Sequence, residues 1–545
     1  MGLALAVWIG IPVRAQDGSV PAQVAEINRQ IAAGWEEYGI RPSPLATEGE
    51  WCRRLYLDLL GRIPTVEELQ EFLKDRSKDK RRKLVEKLLY DEAYTEEYAR
   101  NWTTLWTNIL IGRSGGTERR TLISRPGMQK YLRDSFARNK PYDRMVFELV
   151  TATGTTKPGS PNFNGAVNFL IGKVNEEKAA QATAATARIF LGLQVQCTQC
   201  HNHPFNSWKQ RKFWEFNAFF RQTRALPRYE PGTRNIAYAE LVDEDFGGEG
   251  SSPEEAEIYY ELRNGLLKAA YPVFLDGTAI PRSGLLSDVN RRKELGKLIV
   301  QSPYMPRALV NRMWAHFLGY GFTKPIDDMG PHNVPTHPEL LDYLADEFAR
   351  QSYDLKVLIQ WIVLSRPYAL SSKTNKSNEK VDDPLLGESP KFSRFYLRQM
   401  RAEELYESLL VATQADRASG SYEQQERAKS EWLKQFVIAF GNDEGTEMTT
   451  FNGTIPQVLM MFNGSLIKRA MDLKSGGVLT KVLQSPMRPK NKIEYLFLAG
   501  LARKPTREEL AWASQLMRLH KGDPGKALQD IWWSILNSNE FIFNH

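Results

Sequence analysis

The sequence predicts a mainly α-helical protein, with two helical domains and a loop-rich, partly β insertion between them. Most of the chain repeats apolar residues at positions i, i+3 and i+4, which places them on one face of an α-helix. Clusters of Gly, Pro and Asn separate these segments, as is typical of turns. Residues 224–290 differ, with Pro, Gly, acidic residues and short alternating stretches. The helical domains are therefore expected at 16–223 and 291–545.

The apolar spacing predicts helices in the following order: 67–72, 82–90, 97–111, 128–138 and 142–151, then an Ala-rich helix over 176–194 and an aromatic helix over 205–221. Helices are expected to resume at Arg291 and to continue to the end of the chain, interrupted by a polar linker around 371–390.

Two distant segments, 55–69 and 496–510, align without a gap. Each contains a helix, a turn and then Pro-Thr, with a Glu three residues after the Thr. This spacing predicts two capping boxes. Thr65 and Thr506 cap the next helix, while Glu68 and Glu509 accept hydrogen bonds from the backbone N–H groups of these threonines. We interpret the repeat as one helical hairpin used twice as scaffold; independent convergence on a good cap is the alternative.

Composition and the absence of known sequence motifs argue against a single-core protein, a nucleic-acid binder and several common classes of enzyme. The 545 residues are too many for one ordinary core, and 42% hydrophobic with 25% charged residues is typical of globular domains. The net charge is +7, and basic runs such as 78–83 alternate with acidic residues, which predicts solvated helix faces and no nucleic-acid partner. No phosphate-binding loop, dinucleotide fingerprint, serine-hydrolase elbow or zinc-protease motif occurs.

The first 15 residues resemble a secretory signal. An apolar run over 3–13 is followed by Val13-Arg14-Ala15, which is similar to a signal-peptidase site. The expected location is therefore periplasmic or extracellular; a buried N-terminal helix is the alternative. No later segment reaches 18 uninterrupted apolar residues, so no transmembrane helix is expected in the mature chain.

The most informative motif is the C-x-x-C-H pattern formed by Cys197, Cys200 and His201. The chain has 3 Cys and 7 His, so three scarce residues are used together. This pattern is typical of covalent haem c attachment, in which the thiols form thioethers and the imidazole binds iron. A Cys197–Cys200 disulfide and a zinc site that adds His201 or His203 are the alternatives. Cys52 lies in an apolar helical pattern and is expected to be a buried free thiol.

If haem is bound, His201 is the proximal ligand. His203 is close to it in sequence and is expected to support it from a second layer or to act as an alternative ligand. The motif also predicts a flat apolar pocket lined by downstream aromatic residues, with Arg188, Lys209 and Arg211 as candidate partners of the haem propionates. The iron's other ligand has six distant candidates: Met305, Met313, His316, His332, His337 and Met400.

A second cluster of polar residues lies around residues 327–339. Asp327, Asp328, His332 and His337 could bind a metal or perform acid–base chemistry. We favour a structural interpretation: Asp-Asp before Gly is common in turns, and residues 336–339 fit a capping box for the next helix.

The motif region resembles a known family. Residues 190–205, FLGLQVQCTQCHNHPF, are similar to the core of the planctomycete cytochrome-like (PSCyt-type) domain, which typically contains C-x-Q-C-H-x-H-P-F. Residues 54–65 and 139–143 match the same domain. Its usual C-terminal companion, the PSD-type domain, is resembled at 311–316, 335–341, 451–456 and 536–541. The resemblance implies an exported protein of two domains whose activity is unknown.

These observations predict an exported haem c protein for electron transfer, or for oxidation of an extracellular substrate together with a partner. The candidate partners are a redox protein, another exported protein and an extracellular polymer as substrate. The alternative is a non-catalytic binding or scaffold protein in which Cys197, Cys200 and His201 form a disulfide or zinc staple.

Overall fold

The computed structural model describes residues 21–118, 120–203, 208–250, 252–414, 421–427, 430–431, 465–474, 477–520 and 523–545. Helices dominate these residues and the strands are few and short, which confirms the mainly α fold class. The signal-like segment at 1–15 and the PSD-like stretch at 451–456 lie outside the described residues.

The first part of the chain is a series of helices joined by short turns. They are α1 (Ala22–Glu37), α2 (Glu48–Leu60), α3 (Val66–Lys74), α4 (Lys80–Tyr90), α5 (Glu92–Ile111), α6 (Arg125–Ala137), α7 (Tyr142–Thr151), α8 (Ala180–Leu191) and α9 (Gln210–Asn217). Short 3-10 helices occupy Gly165–Phe169, Glu177–Ala179, Gln196–Gln199 and Ala218–Phe220.

The later part is also helical. It contains α10 (Arg291–Gln301), α11 (Tyr304–Leu318), α12 (Pro338–Arg350), α13 (Leu355–Val363), α14 (Arg366–Ala369), α15 (Ala402–Thr413), α16 (Ser465–Met471), α17 (Val478–Gln484), α18 (Pro489–Leu501), α19 (Arg507–Leu519), α20 (Pro524–Leu536) and α21 (Asn539–Ile542), with a 3-10 turn at Pro384–Leu386. Within the described part of the chain, none of the helices combines the length and apolar character that a bilayer crossing requires.

Among the residues described, three small antiparallel sheets accompany the helices. In the first, β3 (Ile236–Asp243) lies between β1 (Gly154–Thr155) and β2 (Thr223–Tyr229). In the second, β4 (Ile258–Glu261) pairs with β5 (Leu267–Ala270), and in the third β6 (Arg398–Gln399) pairs with β7 (Phe543–Asn544). Most of the strand residues therefore lie in the 224–290 region.

Two hydrophobic clusters form the core, and each contains residues from early and late helices. In the larger cluster, Trp102 of α5 packs against Phe317 of α11, with ring centroids 6.2 Å apart. In the smaller cluster, Leu57 and Val66 pack with C-terminal residues that include Trp532. The helices on either side of the insertion therefore bury apolar area against one another.

Two buried arginines of α2 connect the two ends of the chain. Arg53 donates to the carbonyls of Gly500 (2.8 Å) and Phe541 (2.7 Å), and Arg54 donates to that of Leu370 (3.0 Å). Both side chains are at most 1% exposed. These hydrogen bonds compensate part of the hydration that the buried guanidinium groups lose, and those of Arg53 hold α2 against the C-terminal helices.

A buried carboxylate on the same helix completes this connection. Asp58 is inaccessible to solvent and accepts hydrogen bonds from the Tyr368 hydroxyl (2.7 Å) and from Asn544 Nδ2 (2.8 Å). It also forms an ion pair with Arg398. Charge and hydrogen-bond donors thus compensate the loss of hydration that burial imposes on this carboxylate.

The capping boxes of the repeated hairpin are confirmed. Thr65 Oγ1 accepts from the Glu68 backbone N–H at 3.2 Å, and Glu68 accepts from the Thr65 N–H at 2.7 Å. Thr506 and Glu509 repeat these two bonds at the same distances. Each pair satisfies two backbone donors that the first turn of a helix leaves without partners.

The capping box predicted at residues 336–339 is wrong. Helix α12 has His337 at its N-cap, and no side chain accepts a hydrogen bond there. The Thr336 N–H instead donates to the Phe322 carbonyl at 2.8 Å. The helix starts at Pro338, whose fixed φ favours the first helical position.

The two helices around the motif are shorter than predicted. Residues 177–179 have φ values of 45°, 56° and 65°, which a right-handed helix excludes, so α8 begins at Ala180. It ends before Gly192, whose φ of 66° is left-handed. The aromatic helix is α9 followed by one 3-10 turn, and residues 204–207 lie outside the described residues. The predicted helix over 142–151 and the start at Arg291 are confirmed.

Candidate functional site

The C-x-x-C-H motif begins one short loop after α8. Gly192 turns the chain out of the helix, and its Cα lies so close to Met329 that an added Cβ would be 2.7 Å from the methionine Cε. The Gly192 carbonyl accepts from the Met329 N–H at 2.7 Å. Glycine is therefore needed at position 192 both for the left-handed backbone angle and for the close approach of Met329. The motif then starts in the 3-10 turn Gln196–Gln199.

The two motif cysteines are exposed and unbridged. The side chain between them points the other way: Thr198 is fully buried, and its hydroxyl donates to the Val195 carbonyl at 2.6 Å. Cys52, by contrast, is a buried free thiol as predicted, and burial raises its pKa. The turn therefore presents Cys197 and Cys200 to solvent as accessible thiols, without the disulfide of the alternative interpretation.

His201 is anchored through one ring nitrogen. Its Nδ1 lies 2.6 Å from the Asn202 carbonyl oxygen, and because a carbonyl can only accept, Nδ1 carries the proton. The lone pair is then on Nε2, which has no hydrogen-bond partner among the described residues. A metal-binding imidazole usually donates its other N–H to an oxygen acceptor in this way.

Helix α9 holds the motif turn from the other side. The Gln199 carbonyl accepts from Gln210 Nε2 (3.1 Å) and from Trp214 Nε1 (3.0 Å). Asn202 Oδ1 accepts from the Gln210 N–H at 3.0 Å. The Trp214 ring stacks on Tyr260 of β4 at a centroid distance of 5.9 Å. These bonds fix the backbone on both sides of Cys200 and His201.

His203 faces a turn from the C-terminal half of the chain. Its ring centroid is 5.5 Å from that of His332. The backbone N–H of His203 donates to the Trp208 carbonyl at 2.8 Å. His332 Nε2 donates to Asp328 Oδ2 at 2.9 Å. We name residues 325–333 the acidic turn. The sequence assigned Asp328 and His332 to one candidate cluster and named His332 as one of six possible second iron ligands, but it gave no basis for choosing among the six.

Further contacts attach the acidic turn to the motif loop. Asp327 Oδ1 accepts from Gln194 Nε2 at 2.8 Å, and its other oxygen lies 3.9 Å from Arg188 Nε. Arg188 was a candidate propionate partner, as was Arg211, whose Nε is 3.3 Å from a Glu215 oxygen. Both guanidinium groups therefore lie beside carboxylates of this chain.

His337 does not join the acidic turn. Its ring packs against Phe322 and Phe392, with centroids 6.1 Å and 5.7 Å away. Burial lowers its pKa to about 4, so the ring is neutral near pH 7. The predicted cluster of residues 327–337 is thus divided: the acidic turn adjoins the motif, and His337 belongs to the core.

Most other candidates for the second iron ligand are enclosed. The three methionines are at most 2% exposed, and they are Met305, Met313 and Met400. His316 lies against Trp102 with ring centroids 5.2 Å apart, its Nε2 is inaccessible, and burial lowers its pKa to about 3. His332 is the candidate that lies next to the motif.

The described phenylalanines that follow the motif belong to the core. The downstream rings pack among themselves: Phe216 lies 6.2 Å from both Phe219 and Phe220, and all three are at most 1% exposed. They do not line the flat apolar pocket expected beside the cysteines; Phe205 lies outside the described residues.

The described residues contain no group of three or more His, Cys, Asp or Glu side chains arranged to hold a metal ion. Cys197, Cys200, His201 and His203 therefore do not converge as a tetrahedral zinc site requires. For haem, which brings its own four nitrogen ligands, the donor set fits: two accessible thiols and one imidazole with its lone pair on Nε2.

Comparison with known proteins identifies two domains of unknown function. Residues 26–225 match the family model PSCyt2, described as a protein of unknown function (DUF1549). Residues 291–517 match PSD1, which has the same description (DUF1553). Neither a curated protein nor a solved structure matches the chain. The motif lies in the first matched region and the acidic turn in the second.

Proposed function

The chain belongs to the proteins that join a PSCyt2 domain to a PSD1 domain, and from that premise we propose that it is an exported redox protein carrying one haem c on Cys197 and Cys200. His201 is the proximal iron ligand. The activity we assign is electron transfer, or oxidation of an extracellular substrate such as a polymer, together with a redox partner.

The observation that carries this proposal is the state of the three motif side chains. Cys197 and Cys200 are exposed and unbridged on one turn, as thioether formation requires. His201 donates Nδ1–H to the Asn202 carbonyl, so the lone pair on Nε2 remains for iron.

The remaining residues of the site would position the group. Gln210 and Trp214 hold the Gln199 carbonyl, which keeps the backbone between the cysteines and His201 in one conformation. A haem attached here would supply a one-electron iron couple. Both thiols that would hold it are exposed, which favours electron exchange with a partner at the surface.

Covalent attachment can be tested by solvent extraction. The full chain is exported in a bacterial host that matures c-type cytochromes, and the purified protein is extracted with acidified acetone. The Soret absorption is expected to remain with the protein. Cys197→Ala combined with Cys200→Ala is expected to abolish it, whereas the control Cys52→Ala keeps it because Cys52 lies in the core.

The alternative function is a non-catalytic binding or scaffold protein. The core packing of the described phenylalanines after the motif, which the haem interpretation expected to line a pocket, favours it. A colourless exported protein with normal far-ultraviolet circular dichroism would support this alternative and contradict the haem proposal.

A further inference from the structure

Helix α11 leaves one narrow face accessible along its otherwise buried second half. From Ala308 to the end of the helix at Leu318, only Arg312, Ala315 and His316 keep partial exposure. Residues three and four positions apart lie on one face of a helix, so these side chains border the same space. A guanidinium group and an imidazole ring therefore lie one helical turn apart, beside a space that solvent can enter.

Arg312 lacks the partners that other deep arginines have. Its Nε is inaccessible to solvent and has no hydrogen-bond partner in the described part of the chain. Arg53 and Arg54 donate to backbone carbonyls, whereas no hydrogen bond or ion pair joins Arg312 to a residue within the described ranges. Burial lowers the pKa of Arg312, and the negative charge of Asp327 opposes this shift only in part. The guanidinium group is thus a positive charge without an anion of its own.

His316 is also short of a partner. Its Nε2 is inaccessible and has no hydrogen-bond partner among the described residues. Its ring packs against that of Trp102 on α5, with centroids 5.2 Å apart. Burial, together with the positive charge of Arg401 nearby, lowers its pKa to about 3. The imidazole is therefore neutral near pH 7, with one N–H that it can donate.

Two donors beside the imidazole are in the same state. Trp102 Nε1 and Arg401 Nη1 are buried and have no hydrogen-bond partner among the residues described. Arg401 is held in place by its Nη2, which donates to Asn101 Oδ1 at 2.7 Å, and Asn101 precedes Trp102 in α5. An indole N–H and a guanidinium N–H can only donate. The unpartnered atoms around His316 therefore need an acceptor, and the arginine charge needs that acceptor to be negative.

We propose that Arg312 and His316, with Trp102 and Arg401 beside the imidazole, form a binding site for a small oxyanion such as sulfate, phosphate or acetate. Negatively charged oxygens accept strong hydrogen bonds from guanidinium groups and supply the missing charge. The narrow accessible face of α11 restricts the ligand to a small one, and the two guanidinium groups disfavour a metal cation.

The site would lie between the two matched domains. Trp102 belongs to the PSCyt2 region, whereas Arg312, His316 and Arg401 belong to the PSD1 region. A bound oxyanion would therefore add contacts across this boundary. None of these residues belongs to the cysteine motif, so the inference goes beyond the proposed function and does not depend on haem.

Saturable stabilisation by the anion is the first test. The exported full chain is titrated with sodium sulfate, sodium phosphate or sodium acetate, with the ionic strength held constant by sodium chloride, and its Tm is followed. At least one of these anions is expected to raise the Tm with a saturable dependence on concentration. Arg312→Gln should weaken the apparent affinity about tenfold or more, because it removes a charge-assisted hydrogen bond. The matched control is Arg307→Gln on the same helix, which removes a pair with Asp342 at 3.0 Å and should bind the anion as wild type does.

Stability without the anion is the second test, and it covers the case in which Arg312→Gln fails to fold. Arg312→Met keeps the aliphatic packing but removes a buried charge that has no partner, so it should raise the Tm of the protein in Tris chloride without oxyanions. A guanidinium group with a structural role would instead make this variant less stable or unable to fold. That result, no saturable response of the wild type to any of the three anions, or equal affinity in Arg312→Gln and wild type would overturn the inference. A protein without haem would leave it standing and overturn only the proposed function.

Discussion

Two helical hairpins of this molecule share one local design and differ in their surroundings. The first hairpin is α2 with α3, and the second is α18 with α19. In the first, Arg62 forms a bidentate pair with the capping-box residue Glu68 at 2.7 and 2.9 Å. In the second, Arg503 pairs with Glu509 at 2.8 and 2.7 Å. The same sequence pattern has produced the same geometry.

The correspondence extends beyond the capping boxes. Arg62 also contacts Glu97 at 2.5 Å, and Arg503 contacts Glu540 at the same distance, in each case from a later helix. An aromatic ring lies under each guanidinium, with centroid distances of 5.2 Å in the first hairpin and 5.6 Å in the second. We infer that the hairpin and its arginine form one repeated structural unit.

The difference lies in burial. The Arg62 side chain is 5% exposed and that of Arg503 is 29% exposed. The first hairpin also carries Asp58 inside the protein, where the aligned residue of the second is Ala499. The comparison teaches that local sequence determines the hairpin, whereas its contribution to stability depends on what packs around it.

The largest expected effect comes from the buried carboxylate that the second hairpin lacks. Asp58→Ala removes the nearer carboxylate of the buried Arg398 and leaves Glu404 at 4.0 Å, so we expect a loss of about 3–5 kcal/mol in the free energy of unfolding. Urea denaturation followed by circular dichroism measures it. The control Glu26→Ala removes an exposed pair with Arg29 and should change the value by at most about 0.5 kcal/mol. Equal effects of the two substitutions would contradict the account.

The two arginines provide the direct comparison. Arg62→Ala leaves Glu68 and Glu97 without their buried partner and should cost about 3 kcal/mol, whereas Arg503→Ala should cost about 1 kcal/mol because water replaces the lost contacts more readily. Parallel denaturation curves test the ratio. If Arg503→Ala lowers the free energy of unfolding more than Arg62→Ala does, burial does not determine how much each arginine contributes to stability.

The second hairpin should also have a distinct pH dependence. The hydrogen bond from Arg503 lowers the pKa of Glu509 to about 2, below its value in the unfolded chain. A lowered pKa stabilises the fold above the unfolded-state value, and this stability is lost as the pH falls from about 4.5 to about 2. The slope of stability against pH in this window should be smaller in Arg503→Ala than in wild type. Equal slopes would show that the pair does not lower this pKa.

The smallest effect is expected at the turns of the hairpins. Gly61 and Ala502 occupy equivalent left-handed positions, with φ values of 70° and 55°. Ala502→Gly relieves about 1 kcal/mol of backbone strain but removes a buried methyl group worth about 0.8 kcal/mol, so the net change should be within about 0.5 kcal/mol. A larger loss would mean that the Ala502 methyl is essential to the contact between the hairpins.

Much of the fold could be predicted because its signals are local. The capping boxes at Thr65 and Thr506 follow from residues three apart, and the helix at 142–151 follows from apolar spacing. The box predicted at Thr336 failed because a hydrogen bond to Phe322, a long-range contact, determines the backbone there. The early end of the Ala-rich helix follows from left-handed residues that periodicity does not reveal.

In the candidate site, too, the residues of a local motif could be predicted and those brought in by long-range packing could not. Cys197, Cys200 and His201 were found because they form one contiguous motif. The position of His332 beside His203 was not predicted, because it depends on how the two matched domains pack. The aromatic residues after the motif were expected to line a pocket but are mostly used in core packing, which composition alone does not distinguish.

The central claim is the covalent bond between the motif and haem, and peptide mass spectrometry tests it most directly. Trypsin cleaves after Arg188 and Lys209, so one peptide, 189–209, contains both motif cysteines. In protein exported with haem c maturation, we expect this peptide to carry the mass of one haem and to resist alkylation at both thiols. A peptide of unmodified mass that is alkylated at Cys197 and Cys200 would contradict the account.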